Sequence, residues 1–348
     1  MPGQIPETCR QYQLPRLTGF HNLILKTVPV PKPKSTEVLI KVKAASINFR
    51  DLVIANGGSP LPTKPDVIPL SDMAGEVVAV GDSVARFKEG DRVSANAMLD
   101  HISGPPTPQT KNSCLAGEID GVLTEYRVFP EHSLVHVPEH LSYEEGSTLA
   151  CAGVTAYNAL TGSKPLKEGQ SVLVMGTSGV SLFAIQLAAA SGATVIATSS
   201  SDEKLELAQK LGAKYGINYV KNEAWEAEAL KLTNGVGVDH VVELGGPGTW
   251  MKSLAALKYD GEMHAVSAQG KFEDVSGTII GVLIQKALHI HGVQIGSRVQ
   301  FEEMNRLISN ASLRPVIDRV FEFEQAKEAY EYCARQKFAG KVVIRVAQ

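Results

Sequence analysis

Gly176 and Gly179 enclose Thr177 and Ser178 and are followed by Val180 and Ser181, in a turn that leaves one apolar run and enters another. Residues of these types at this spacing suit one task, which is presenting backbone N–H groups to a phosphate. The run Val172 to Met175 reads as a strand buried on both faces, and the run after Gly179 reads as a helix that stops at Gly192. Glycine lets the chain turn tightly, and the new helix aims unpaired N–H groups and its positive dipole end at whatever lies above the turn. A pyrophosphate is the natural occupant. Ser178 and Ser181 stand where a Gly-x-Gly-x-x-Gly fingerprint has its second and third glycines, so an ordinary α/β turn is the competing reading.

The segment that follows supports the phosphate. Ala193 to Ser201 reads as a second buried strand running into a cluster of serines. A helix from about Asp202 to Leu211 comes next, with Ser200 and Glu203 spaced as a capping box and Gly212 as its stop. One strand-helix-strand-helix unit is thus complete around the turn.

Length and composition bound the rest. A chain of 348 residues exceeds one ordinary core and fits two domains. Hydrophobic residues at 44% and charged residues at 20% are those of a globular enzyme, and no apolar run approaches the roughly 18 residues a membrane span needs. A net charge of -3 leaves no electrostatic footprint for nucleic acid or an anionic membrane. The N-terminus shows no charged leader followed by an apolar core, and Cys9, Cys114, Cys151 and Cys333 form no CxxC pair. These features make a reducing compartment, the cytoplasm, the expected location.

Taken in order, residues up to Val93 alternate in short runs broken by Pro and Gly: Glu37 to Ala44, Ala74 to Val80 and Asp91 to Ser94. A half-exposed antiparallel barrel or sandwich reads this way. Met98 to Asp120, with Gly104, Pro105, Pro106 and Pro108, is expected to be a long surface loop. Strands are expected again at Val122 to Phe129 and Leu134 to Val137. A helical period spans Leu141 to Leu160, with Ser142 and Glu145 as a capping box. From Ser171 strands and helices alternate, including strands at Gly237 to Leu244, Gly261 to Ser267 and Ala287 to Val293, which implies a doubly wound parallel sheet. The tail reverts to mixed structure: a helix near Phe301 to Ser309, a strand near Val316 to Phe321, a helix over Glu324 to Gln336 and a strand at Lys341 to Val346. It is expected to return to the first domain. The fold class is therefore α/β, with a β-rich domain over residues 1–153 and 297–348 and a Rossmann domain over 154–296.

Several stretches together resemble the medium-chain dehydrogenase/reductase superfamily. They are Gly75 to Gly81 (GEVVAVG) followed by Phe87 to Val93 (FKEGDRV), Thr155 to Leu160 (TAYNAL), the Gly176 turn, and Gly340 to Ile344 (GKVVI). The likeness spans nearly the whole chain and is strongest toward the zinc-independent, quinone-oxidoreductase-like branch, which includes proteins called NAD(P)-dependent alcohol dehydrogenases. It implies a GroES-like catalytic domain, a Rossmann cofactor domain and an active site in a cleft.

Where zinc-dependent members of that family place their three catalytic ligands, this chain has Asn48, Ser71 and Cys151. A single thiol does not hold zinc, so no catalytic metal is expected. The family's structural zinc lobe corresponds to Met98 to Asp120, which has only Cys114; Asp100 and His101 there are expected to be solvated.

Cofactor preference follows from the end of the second Rossmann strand. An acid there would bind both ribose hydroxyls of NAD and repel a 2′-phosphate; here stand Ser199 and Ser200, with Lys204 a turn on. Tyr219 lies where related reductases put an aromatic residue near the adenosine phosphate. NADPH (NADP+) is the expected cofactor. The alternative is that Ser200 only caps a helix and Lys204 is solvated, and Asp202 nearby weighs toward it. The resemblance further implies that Asn48 lies by the nicotinamide ribose or the substrate oxygen, that Thr155 touches the nicotinamide, and that Leu244, Val266, Ser267, Val293 and Ile295 line the cofactor. Asp72, in the place of the acid behind the metal ligands, is expected to orient Arg50 or a water.

Without a Lewis acid, hydride addition to a plain ketone must carry alkoxide charge on one oxygen. Addition to an enone, enoyl or quinone substrate spreads that charge, so positioning and a few donors suffice. Reduction of an activated double bond in a small electrophilic molecule is the expected activity. A zinc-independent alcohol dehydrogenase or carbonyl reductase is the alternative, and an NADPH-binding protein without turnover is a third reading. The apolar runs Ile279 to Ile284 and Leu288 to Val293 suit either the sheet-edge homodimer usual in this branch or an ordinary core.

Overall fold

The structure is a computed structural model that describes residues 5–59, 62–267 and 276–347. In chain order the first strands are β1 (Thr8–Gln13), β2 (Ile24–Pro29), β3 (Glu37–Ile47), β4 (Asp72–Val80), β5 (Arg92–Ala95), β6 (Tyr126–Pro130) and β7 (Leu134–His136). A second set follows: β8 (Ser171–Met175), β9 (Thr194–Ser199), β10 (Tyr215–Asn218), β11 (Val238–Glu243), β12 (Leu257–Ala265) and β13 (His289–Gly292). The tail adds β14 (Ile317–Glu322) and β15 (Lys341–Arg345). The chain divides into two compact units, Met1–Val154 with Gly296–Gln348, and Thr155–Ile295.

In the first unit β1 and β2 pair with each other, and the main sheet runs β14-β15-β3-β4-β5-β7, with β6 also on β3. The long β3 is its spine. Its first half pairs with β6, its second half with β15, and β4 runs along its other edge, all antiparallel. Alternation along β3 puts Val38, Ile40 and Val42 into a core that also holds Phe129, Tyr330 and Leu123. The tail thus joins the sheet of the N-terminal half, as its strand-helix-strand pattern implied.

Three sequence expectations differ from the structure here. The Met98 to Asp120 segment is not a solvated loop: it carries a short helix, Pro108–Asn112, and buries Met98, Leu115, Ala116 and His101. It has no periodicity because its apolar side chains are used singly by an irregular backbone. The strand expected from Val122 begins only at Tyr126, although Val122 and Leu123 are fully buried. The Leu141 to Leu160 helix is broken into Tyr143–Gly146, a π-helical turn Leu149–Gly153, and Val154–Thr161. The Ser142 cap holds, with its side chain accepting from Glu145 N at 3.1 Å.

The second unit is a parallel sheet in the order β10-β9-β8-β11-β12-β13. After β8 the chain moves outward on one side and then crosses to the other, so β8 and β11 flank the switch point, the place where open α/β sheets generally bind ligands. The helix Gly179–Ala190 is buried along most of its length, which explains its uniformly apolar sequence. The opposite face packs Leu173, Ile196, Val241, Leu254 and Met263. The other difference lies after β9: the helix Asp202–Lys210 is capped by Ser201, not Ser200, through an acceptor contact with Lys204 N at 3.4 Å. Three consecutive serines offered equivalent caps, and the backbone chose the last.

Candidate active site and cofactor site

The site in the first unit is built where three neighbouring strands end or begin. Ile47 is the last residue of β3, Asp72 the first of β4 and Lys341 the first of β15. Register pairs Ser46 with Asp72 and Ile47 with Val342, so these residues converge without any being close in sequence.

Asn48 follows as the N-cap of the helix Phe49–Ala55, its backbone extended (φ -115, ψ 162). Its own N–H donates to Asp51 Oδ2 at 2.7 Å. Its side-chain Oδ1 accepts from Lys341 Nζ, which also donates to Ile47 O at 2.8 Å. An ammonium only donates, so the amide atom that faces it must be the oxygen. This fixes the other end of the amide: Asn48 Nδ2 is buried and has no partner among the described residues. Both N–H groups of that nitrogen are therefore without an acceptor among the described residues.

Asp72 is fully buried. Ser71 Oγ donates to its Oδ1 at 3.0 Å, Cys151 N donates to Oδ2 at 3.3 Å, and Lys341 Nζ stands 3.9 Å from Oδ2. Lys341 is itself only 3% exposed, and a cation so far out of water requires such compensation. Asp72 forms no hydrogen bond or ion pair with Arg50, one of the two partners the sequence suggested for it. Arg50 instead donates to Leu115 O at 3.1 Å and Cys114 Sγ at 3.4 Å and lies 3.7 Å from Asp51. Lys341 is the residue that sequence reasoning missed; the Gly340-Lys341 start of a closing strand was visible, but its partner lies 293 residues away.

The zinc of related enzymes does not fit this donor set. Asn48 Oδ1 is engaged by an ammonium, Ser71 Oγ points at Asp72, and burial together with Asp72 pushes the Cys151 thiol well above its usual range. Zinc needs deprotonated or lone-pair ligands, three of them free to converge.

In the second unit the candidate cofactor residues gather at the carboxyl ends of the parallel strands. Gly176 follows β8 with φ +73, the left-handed region where only glycine is unstrained. Ser178 caps the helix Gly179–Ala190 without a side-chain bond to its first turn; its hydroxyl lies 2.9 Å from Ser181 Oγ, which in turn donates to Met175 O at 2.8 Å. The first-turn amides of this helix have no intrahelical acceptor. Ser199 ends β9 buried, Ser200 is exposed, and Tyr219 N donates to Ser199 O at 3.1 Å. Lys204 lies in the first turn of the next helix. Asp202 is tied up by Asn218 Nδ2 at 2.7 Å and by Lys221 Nζ, and the Lys221 contact holds its carboxyl below the ordinary range. Lys221 was not foreseen. Leu244, Val266 and Val293 leave β11, β12 and β13 at the same edge, where Val266 N donates to Glu243 O and Val293 N to Ala265 O, each at 3.0 Å. Ser267 follows Val266, Ile295 O accepts from Asn158 Nδ2 at 2.7 Å, and Thr155 is buried one turn before Asn158.

Comparison with known proteins supplies the family. Residues 34–139 match the family described as alcohol dehydrogenase GroES-like domain, and residues 179–310 match the one described as zinc-binding dehydrogenase. A zinc-type alcohol dehydrogenase-like protein of Schizosaccharomyces pombe, C1773.06c, is 46% identical over 336 residues, covering 95% of this chain and 97% of that protein. A quinone oxidoreductase of Pseudomonas aeruginosa is 31% identical, covering 90% and 92%. The crystal structure of an NAD-dependent alcohol dehydrogenase superposes with a TM-score of 0.89 at 30% identity, covering 97% of this chain and all of that one.

Proposed function

The chain belongs to the medium-chain dehydrogenase/reductase superfamily, a family of oxidoreductases that bind a nicotinamide cofactor, and on that premise we propose that it reduces an activated carbon–carbon double bond or a quinone with NADPH, without a catalytic metal. The observation that carries this reading is the unpartnered Asn48 Nδ2, locked in orientation by Lys341. The cofactor, when bound, supplies the hydride. The chain supplies a neutral donor for the oxygen on which charge collects, and the Lys341 ammonium polarises that donor through the amide. Such an arrangement suits an enolate or hydroquinone, where charge is already delocalised, better than a localised alkoxide. Asp72 holds Lys341 and the Cys151 backbone and serves as a positioning residue. The Gly176 turn grips the pyrophosphate, and Ser199, Ser200, Lys204 and Lys221 favour the extra phosphate of NADPH.

The alcohol dehydrogenase names among the relatives favour a second reading, a metal-free carbonyl reductase. Stopped-flow NADPH oxidation against enones, quinones, aldehydes and ketones, with the protein exhaustively treated with chelator, separates the two. Turnover confined to aldehydes and ketones would overturn the proposal. We further infer a cytoplasmic homodimer joined along the β13 edge, where Ile280 and Ile284 stand exposed on the helix Ser276–Lys286. Sedimentation of the purified chain tests the dimer.

A further inference from the structure

His240, Glu262 and His264 are brought together on one face of the parallel sheet of the second unit. His240 pairs in register with Glu262 across β11 and β12, and Glu262 and His264 are two residues apart on β12, so all three side chains leave the same side. All three are buried: His240 and His264 fully, and Glu262 to 3% exposure. One ligand atom from each lies within 4.8 Å of the others.

The polar accounting of this cluster does not close. His240 Nδ1 and His264 Nε2 are 3.0 Å apart, so a single proton must sit between them. His264 Nδ1 and Glu262 Oε2 are buried with no partner among the described residues. Glu262 Oε1 accepts from Ser163 Oγ, and His240 Nε2 reaches Gln170 Oε1 at 3.4 Å. Among the described residues Glu262 forms no ion pair, and a buried carboxylate without a cation is costly.

We propose that His240, Glu262 and His264 form a buried site for a divalent transition-metal ion of the zinc type, separate from the Asn48 and phosphate-turn sites. Two neutral imidazoles and one carboxylate are a donor set that zinc accepts, with a water in the fourth position. Tetrahedral bonds of ~2.0–2.1 Å separate ligand atoms by about 3.3 Å; the imidazole nitrogens stand 3.0 Å apart, and the carboxylate lies within 4.8 Å of both. Binding the ion at His240 Nδ1 and His264 Nε2 would shift the proton now between them to the other ring nitrogen, His264 Nδ1, and would give Glu262 the counter-charge it lacks. Gln170 and Ser163 would hold the outer ends of two ligands, as carbonyls and hydroxyls commonly do around metals. The ion's work there is to clamp β11 to β12.

The test uses the full chain stripped with chelator and then titrated with Co2+ alone, followed by Zn2+ competition. One equivalent of Co2+ is expected to give visible bands of nitrogen and oxygen coordination, without a thiolate charge-transfer band in the near ultraviolet. His264→Asn and Glu262→Gln should each weaken binding by about 10-fold or more, while Cys151→Ser should not. Zn2+ should also raise the thermal midpoint of the unmodified chain by several degrees. Absence of saturable Co2+ binding by the unmodified chain overturns the site whatever the variants do. So does a thiolate band, or binding that survives both His264→Asn and Glu262→Gln. None of these outcomes bears on NADPH turnover, which is read separately.

Discussion

Lys341 Nζ donates to Asn48 Oδ1, and that one contact decides which end of the amide is left unpartnered among the described residues, the end proposed to face a substrate. Asn48→Ala should therefore lower kcat by about 10²–10³, the usual cost of one donor to a developing oxyanion. Lys341→Met leaves Asn48 in place but frees its amide to rotate, and should lower kcat by about 10-fold or more with KM for NADPH unchanged. Steady-state kinetics on an enone substrate checks both. A loss in Lys341→Met that fell only on KM for NADPH would contradict the orienting role.

Asp51 gives a pH signature. Burial pushes its carboxyl up to about 6, with Arg50 and the Asn48 N–H opposing. Between the ordinary carboxylate value and 6 the folded chain holds a proton that the unfolded chain has released. The stability this contributes is complete at low pH and is lost as pH rises through 6. Asp51→Asn cannot titrate, so the unfolding free energy of the native chain relative to this variant should fall by about 1–3 kcal/mol from pH 4 to pH 7. Urea unfolding at stepped pH measures it, and a flat difference would refute the assignment.

Cofactor choice is tested at the end of β9. Ser200→Asp places a carboxylate where the 2′-phosphate is proposed, and should raise KM for NADPH by about 10-fold or more while sparing NADH. Lys221→Ala releases Asp202 from its neutralising partner and should act in the same direction, more weakly. Equal responses of NADH and NADPH would argue against a phosphate at this corner.

Two glycines separate conformational cost from collision. A Cβ at Gly176 would meet nothing closer than Ser181 Oγ at 3.8 Å, but φ is +73, so Gly176→Ala should cost about 1–2 kcal/mol and weaken NADPH binding. At Gly121 a Cβ would lie 2.1 Å from Leu70 O and 2.6 Å from Ile68 O, with no positive φ to blame. Gly121→Ala must push aside the chain that leads into Ser71 and Asp72, and should lower both the urea midpoint and kcat. Urea titrations of the two variants, with and without NADPH, distinguish the effects.

Elements set by local pattern were legible in the sequence. The strand-turn-helix at Gly176 and the Ser142 cap each depend on residues within a few positions of one another and stand as read; β3 is a strand, but its burial alternates only from Ile40 to Ala44 and both faces are buried beyond. What escaped was set by distant partners. Nothing near Lys341 says that it will be buried against Ile47 O, because only the antiparallel pairing of β15 with β3 puts it there. Arg50, one of the two partners expected for Asp72, turns elsewhere for the same reason: its acceptor, the carbonyl Leu115 O, belongs to a segment whose irregular backbone hides its burial. The His240–Glu262–His264 cluster was passed over because histidines on separate strands carry no common spacing until the register is known.

The pairing of β15 with β3 also sets an order of events during synthesis. The phosphate turn and its parallel sheet are complete in the chain once β13 has been made, whereas the amide of Asn48 is not fixed until residue 341 has cleared the ribosome and added its strand beside one made some 300 residues earlier. Contacts that distant in sequence form late. If the proposed roles hold, a nascent chain can acquire its grip on the dinucleotide while still unable to pass on a hydride, and chemical competence arrives only with the final strand.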